Sequence, residues 1–173
     1  EDRHHWMEEG LATYVEPVAR AQSGDLRVES VWADLVKNLH EGLPKAGDRG
    51  LDHTPTWGRT YWGGALYFLL AEIEIRRRTN NQRGLQDALR ALVAVGANIG
   101  QAWPIDKVLA VADAGTGTTV LREIYGRMKD VPVTVDLEEL WKSLGVSMAG
   151  GEVRFDDAAP QAAIRLAITR PRP

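Results

Sequence analysis

Apolar residues recur at spacings of three and four along most of this 173-residue chain, and the fold must satisfy that period. Trp6, Met7, Leu11, Tyr14, Val15 and Val18 form the first such stripe, so this stretch reads as a helix with one buried face. A second helix begins at Asp25 or Glu29 and buries Val28, Val31, Trp32, Leu35, Val36 and Leu39 before Gly42 and Pro44 end it. Residues 44–58, rich in Gly, Pro, Asp and Thr, read as a loop. A long apolar helix covers 65–79, and shorter ones are expected at 84–97, 104–113, 118–129 and 136–144. Thr118 is the expected N-cap of the third of these. Asp136 caps the last, with Glu139 three residues on and Gly145 just past its end.

After Gly145 the pattern changes. Residues 146–148 and 152–155 flank Ala149-Gly150-Gly151 as a small hairpin, and Asp157 then caps a short helix with Pro160 in its first turn. The expected fold is mainly α, a helical bundle-like unit over residues 1–145 with a hairpin-and-helix tail over 146–173 packed on it.

Composition narrows the function classes. A formal net charge of -3, and arginines at 76–78 with no interleaved aromatic, argue against a nucleic-acid partner. Those arginines read instead as the charged end of a helix, with Glu72–Arg76 and Glu74–Arg78 as i,i+4 pairs. Zero cysteines exclude disulfides and thiol catalysis. No apolar run is long enough to cross a bilayer, so no transmembrane segment is expected in this chain. Asp113-Ala114-Gly115-Thr116-Gly117-Thr118-Thr119 lacks the Gly-Lys-[Ser/Thr] core of a phosphate loop and reads as a turn between helices.

Two local motifs carry the chemistry. The first is Trp6-Met7-Glu8-Glu9-Gly10-Leu11-Ala12-Thr13-Tyr14-Val15-Glu16 and the second is Arg59-Thr60-Tyr61-Trp62-Gly63-Gly64-Ala65-Leu66. On spacing alone, Glu9 is a solvated glutamate beside the buried stripe, and Tyr61 is a core aromatic next to Trp57 and Trp62.

Together these strings resemble the gluzincin zinc metallopeptidases, in particular the glycyl aminopeptidase-like group. The first resembles the helix that carries the third zinc ligand, and the match falls on Glu9. The second resembles the start of the helix whose tyrosine hydroxyl meets the oxyanion of the tetrahedral intermediate, which falls on Tyr61. Gly63 stands where that family usually has lysine, which puts any role of that lysine in doubt. The stretch from Ile75 through Thr79 and the Leu85–Arg90 helix continue the likeness. The resemblance implies the helical, C-terminal half of a thermolysin-like catalytic domain, with zinc as cofactor and a peptide as substrate. The loop that leads directly into Tyr61 is placed to shape a substrate cleft, with Arg59 and His53 as the candidate contacts and Arg49 and Asp52 as weaker ones.

The same class holds zinc with the two histidines of H-E-x-x-H on a preceding helix, its glutamate acting as general base. No H-E-x-x-H occurs here: His40-Glu41 is followed by Pro44 where the second histidine belongs, and His53 has no glutamate after it. The expectation is a piece of a longer polypeptide, inactive alone, whose upstream part supplies the histidines and any signal peptide or anchor. The competing expectation is a pseudoenzyme or helical binding module that kept the fold without the motif. His5 and Glu9, four apart, share a helical face if the helix starts early and then form a small metal pair of their own; otherwise His4 and His5 fray.

Overall fold

Every fourth residue of the first helix turns inward, and this geometry organises the rest. A computed structural model describes residues 2–98 and 100–171. In it α1 (His5–Ser23) buries Trp6, Gly10, Tyr14, Val18 and Ala21, one residue per turn along a single stripe. Gly24 ends α1 in the left-handed region at φ 85°. After α2 (Val28–Asn38), a 3-10 turn at Leu39–Gly42 leads into the loop.

The central element is α3 (Gly64–Arg78), which buries eleven of its fifteen residues, including Leu66, Tyr67, Phe68, Leu69 and Ile75. It packs against α1, α4 (Leu85–Ala94), α6 (Val120–Met128) and α8 (Ala162–Thr169). α5 (Ile105–Thr116) closes on α4 and α6, and α7 (Leu137–Leu144) precedes the hairpin. That hairpin pairs β1 (Val146–Ala149) with β2 (Glu152–Phe155) antiparallel, Val146 opposite Phe155 and Ala149 opposite Glu152. The turn is Gly150-Gly151, both at positive φ (60° and 82°), as a tight two-residue hairpin requires. Among the described residues the fold is thus eight α-helices and one small hairpin, mainly α as expected.

Two helix backbones touch where α1 crosses α3. A Cβ added at Gly10 would lie 2.3 Å from Gly64 Cα, and one added at Gly64 would lie 2.3 Å from the Trp6 carbonyl oxygen. Neither position has room for a side chain. Gly42 repeats the device on the turn before α3, where a Cβ would meet the Trp62 carbonyl carbon at 2.3 Å.

Several expected polar roles are different in the folded chain. Glu72 and Arg76 pair with each other, but inside the protein: Glu72 also accepts the Leu85 N–H at 2.8 Å, and Arg76 reaches Gln86 at 3.2 Å. The pair therefore ties the start of α4 to α3 instead of facing water. The Thr118 hydroxyl lies 3.4 Å from the Val120 N–H, but the principal cap of α6 is the buried Asp113, which accepts the Leu121 N–H at 2.9 Å and Arg122 Nε at 3.1 Å. Asp136 accepts the Glu139 N–H at 3.0 Å as expected. Asp157 caps no helix; it pairs with the buried Arg165 of α8, which also donates to the Gly145 carbonyl at 2.7 Å. Leu144, Val146, Ile164 and Ile168 join the same apolar core as α1 and α3, so hairpin and tail pack on the bundle.

The crossing predicts a sharp asymmetry among glycines. Gly10→Ala or Gly64→Ala should cost about 3 kcal/mol in chemical denaturation, because the new methyl meets backbone that cannot yield. Gly126→Ala in α6, with nothing within 4 Å of the added carbon, should instead stabilise by about 0.5–1 kcal/mol.

Candidate functional site

Because Gly10 is the contact point with α3, its neighbour Glu9 is placed at the flank of that crossing. Its side chain is 33% exposed, with Oε1 3.4 Å from His5 Nε2. His5 is thus on the same face of α1 as Glu9, one turn earlier, and its Nδ1 lies 3.6 Å from Glu8. α1 starts early enough to realise the expected His5–Glu9 face. The Thr13 hydroxyl donates to the Glu9 carbonyl at 2.7 Å, leaving the carboxylate itself to His5.

Tyr61 lies on the other partner of the crossing, in a π-helical turn at Arg59–Gly63 that runs directly into α3. Such wide turns are uncommon and concentrate at functional sites. Tyr61 is half-buried, its ring 6.1 Å from that of Trp57, which is 63% exposed. Trp62 is buried in the core, while Tyr61 keeps its ring contact with the exposed Trp57. Among the described residues the Tyr61 hydroxyl makes no hydrogen bond, which leaves its proton available.

A cleft of about 350 Å³ opens between the start of α1 and the loop before Tyr61. His5 and Trp6 form one wall, and Asp52, Pro55 and Thr60 the other. Neither Glu9 nor Tyr61 lines this cleft, though each lies on an element that contributes a residue to its walls.

The loop candidates have other partners. Arg59 is buried, its Nη1 donating to the Gly42 carbonyl at 2.5 Å and its Nε 2.8 Å from the buried Asp48 carboxylate. The Nε–Asp48 contact is off line for a hydrogen bond, so charge attraction and not alignment holds it. Burial lowers the guanidinium's pKa and Asp48 opposes that shift. These contacts brace the π-turn, while among the described residues Arg59 Nη2 is buried without a hydrogen-bond partner. His53 donates to Asp130 at 2.8 Å; Lys129 first and His53 second hold that carboxyl below the usual range. Arg49 donates to the His53 carbonyl at 3.1 Å within its own loop.

Asp52, a minor candidate in the sequence, is the hub of the cleft. Its buried carboxylate accepts Trp6 Nε1–H at 2.9 Å and the Tyr125 hydroxyl at 2.7 Å. Since that hydroxyl spends its proton on Asp52, His4 Nε2, 3.1 Å away, must donate to it. Burial first, and Asp52 second, push the Tyr125 hydroxyl far above its ordinary pKa. The hub joins α1, the loop and α6. Only the pairing of Trp6 with a distant carboxylate would have revealed it, and sequence spacing carries no such signal.

Among the described residues, no three histidine, cysteine or carboxylate side chains converge on a point that could hold a metal ion, and no helix is long and apolar enough to cross a membrane. Comparison of the chain with protein families, curated proteins and solved structures returns no match.

Removing the hub should loosen the wall of the cleft. Asp52→Ala strands a buried indole N–H and a phenol, and should cost about 3 kcal/mol in thermal unfolding. Asp52→Asn, which keeps an acceptor for Trp6, should cost less. Equal melting of both variants with the unaltered chain would contradict the hub.

Proposed function

We propose that this chain is the helical part of a gluzincin-type zinc metallopeptidase catalytic domain, with Glu9 as zinc ligand and Tyr61 as the hydroxyl that meets the oxyanion. The observation that carries the reading is the Gly10–Gly64 contact, which packs the turn bearing Glu9 against the helix that the Tyr61 turn opens. The residues present fit one share of a zinc site. Glu9 offers an oxygen ligand that is partly open, and His5 beside it can orient that oxygen by hydrogen bonding, as outer-shell partners of metal ligands do.

Zinc, when bound, supplies Lewis acidity and an activated water; the remaining ligands and the general base would come from outside this sequence. The chain's own groups then divide the work. Glu9 contributes one negative charge and one donor atom. Tyr61, its hydroxyl uncommitted, donates to negative charge that develops on a carbonyl oxygen of a peptide substrate. Arg59 holds the π-turn in place from beneath, through Gly42 and Asp48.

The test is the coding sequence ahead of Glu1 and the longer polypeptide it specifies. An H-E-x-x-H there supports the reading; its absence overturns the peptidase and leaves the helical binding module. In the longer polypeptide, Glu9→Gln should lower zinc content, whereas Tyr61→Phe should leave zinc in place and reduce kcat by about 10²–10³-fold. The 173-residue chain alone should not retain stoichiometric zinc after dialysis, since one carboxylate, even with His5, falls short of the usual three protein ligands. Tight zinc binding by this chain that is lost in His5→Ala would point instead to a local His5–Glu9 site.

A further inference from the structure

An ion pair can match two charges and still leave their hydrogen bonds unmade, and the Arg59–Asp48 pair beneath the π-turn does so. The two side chains are 3% and 2% exposed, with Nε 2.8 Å from Oδ2 but off line. Each is held from another side. The Gly42 carbonyl accepts from Arg59 Nη1 at 2.5 Å, and Asp48 Oδ1 accepts the Gly50 N–H at 2.8 Å. Neither side chain is free to turn toward the other, and among the described residues Arg59 Nη2 and Asp48 Oδ2 have no hydrogen-bond partner. A buried donor or acceptor left in that state costs about 1–3 kcal/mol, so this pair is completed by a group that brings both an acceptor and a donor.

Both residues line a pocket of about 360 Å³ beside the π-turn. The other charged residues of its lining, Glu41 and Lys45, pair with each other at 2.9 Å, so every charge there is matched and the pocket is neutral. A charged occupant would lose its water and find no free counter-charge. The Thr56 hydroxyl accepts the Arg59 N–H at 3.3 Å and keeps its own proton to donate. Trp57, 63% exposed, adds an apolar wall.

We propose that this pocket binds a carboxamide, the side-chain amide of a glutamine or asparagine in a peptide. The amide oxygen accepts from Arg59 Nη2, the amide nitrogen donates to Asp48 Oδ2, and the aliphatic stem lies against Trp57. A carboxamide carries an acceptor and a donor on one carbon and no charge, which suits both orphaned groups and the neutral lining. A carboxylate brings no donor for Asp48 and is repelled by it; an ammonium group brings no acceptor for Arg59. Water offers both, but at about 30 Å³ a molecule it gains nothing from the indole. Trp57 also meets the Tyr61 ring at 6.1 Å, so on the peptidase reading the pocket would take a side chain of the substrate whose carbonyl Tyr61 meets. That consequence rests on the zinc reading; the binding does not, and it is measured on this chain without zinc.

The probes are acetyl-glutamine methylamide and its isosteres with glutamate and methionine side chains, titrated at neutral pH into the isotopically labelled chain. The Arg59 Nε–H and Trp57 indole N–H signals report binding. The glutamine probe should shift both saturably, with an affinity about tenfold or more above the other two. Asp48→Asn gives the pocket a net positive charge and should turn the preference toward the glutamate probe. Trp57→Ala, at an exposed position, should weaken the glutamine probe severalfold, and it keeps the test decisive if Asp48→Asn does not fold. Equal affinity for the three probes, or a preference for glutamate by the unaltered chain, would overturn the carboxamide. Absence of a saturable shift up to about 20 mM would leave the two groups to water and overturn the site.

Discussion

Helices of ordinary composition keep their axes 8–10 Å apart because side chains stand between them, and they come closer only where both surfaces are bare. Gly10 on α1 and Gly64 at the start of α3 make such a place, and the remainder of the architecture follows from it. With the two backbones in contact, the one-per-turn stripe of α1 falls along α3, and Trp6 and Tyr14 enter the core on either side of the crossing. The same contact fixes what stands beside the glycines. Glu9 is held at the flank of the crossing and Tyr61 in the turn leading to it, so a packing constraint doubles as the means of bringing two chemically useful groups onto neighbouring elements.

Buried carboxylates do the rest of the joining. Asp52 links α1 to α6 through Trp6 and Tyr125, Glu72 links α3 to α4, and Asp113 links α5 to the start of α6. In each case an acid is withdrawn from water and given donors: backbone N–H groups at a helix start, or an indole and a phenol. Withdrawing a charge is unfavourable unless such donors are supplied, so each of these acids also specifies which elements must meet. Tyr14 is the counterpoint. Its hydroxyl is buried with no aligned partner, and burial first and Glu72 second raise its pKa well above the ordinary value.

Most of the secondary structure was legible because it follows from local rules. The 3.6-residue period marked α1, α2 and α4–α7, Asp136 and Gly145 bracketed α7, and the paired glycines marked the hairpin turn. What spacing did not disclose was tertiary. Glu72–Arg76 was expected as a pair, but its burial was not legible, since the four-residue separation is the same whether the face is wet or buried. Nothing in the spacing showed that Asp48, eleven positions earlier, would fold back onto Arg59. The long helix starts within one residue of its expected position, but the π-turn at Arg59–Gly63 that widens the coil just before it is announced by no residue pattern in the period. Glu9 and Tyr61 were visible only through resemblance; what the fold adds is the glycine contact between their elements.

The dependence of both motifs on one contact can be examined directly in the labelled chain by nuclear Overhauser spectroscopy. The account predicts strong cross-peaks between the α-protons of Gly10 and those of Gly64, accompanied by contacts from Trp6 to Gly64. Gly64 α-protons that instead see the side chains of another helix, with no cross-peak to Gly10, would contradict the crossing and with it the neighbourhood of Glu9 and Tyr61.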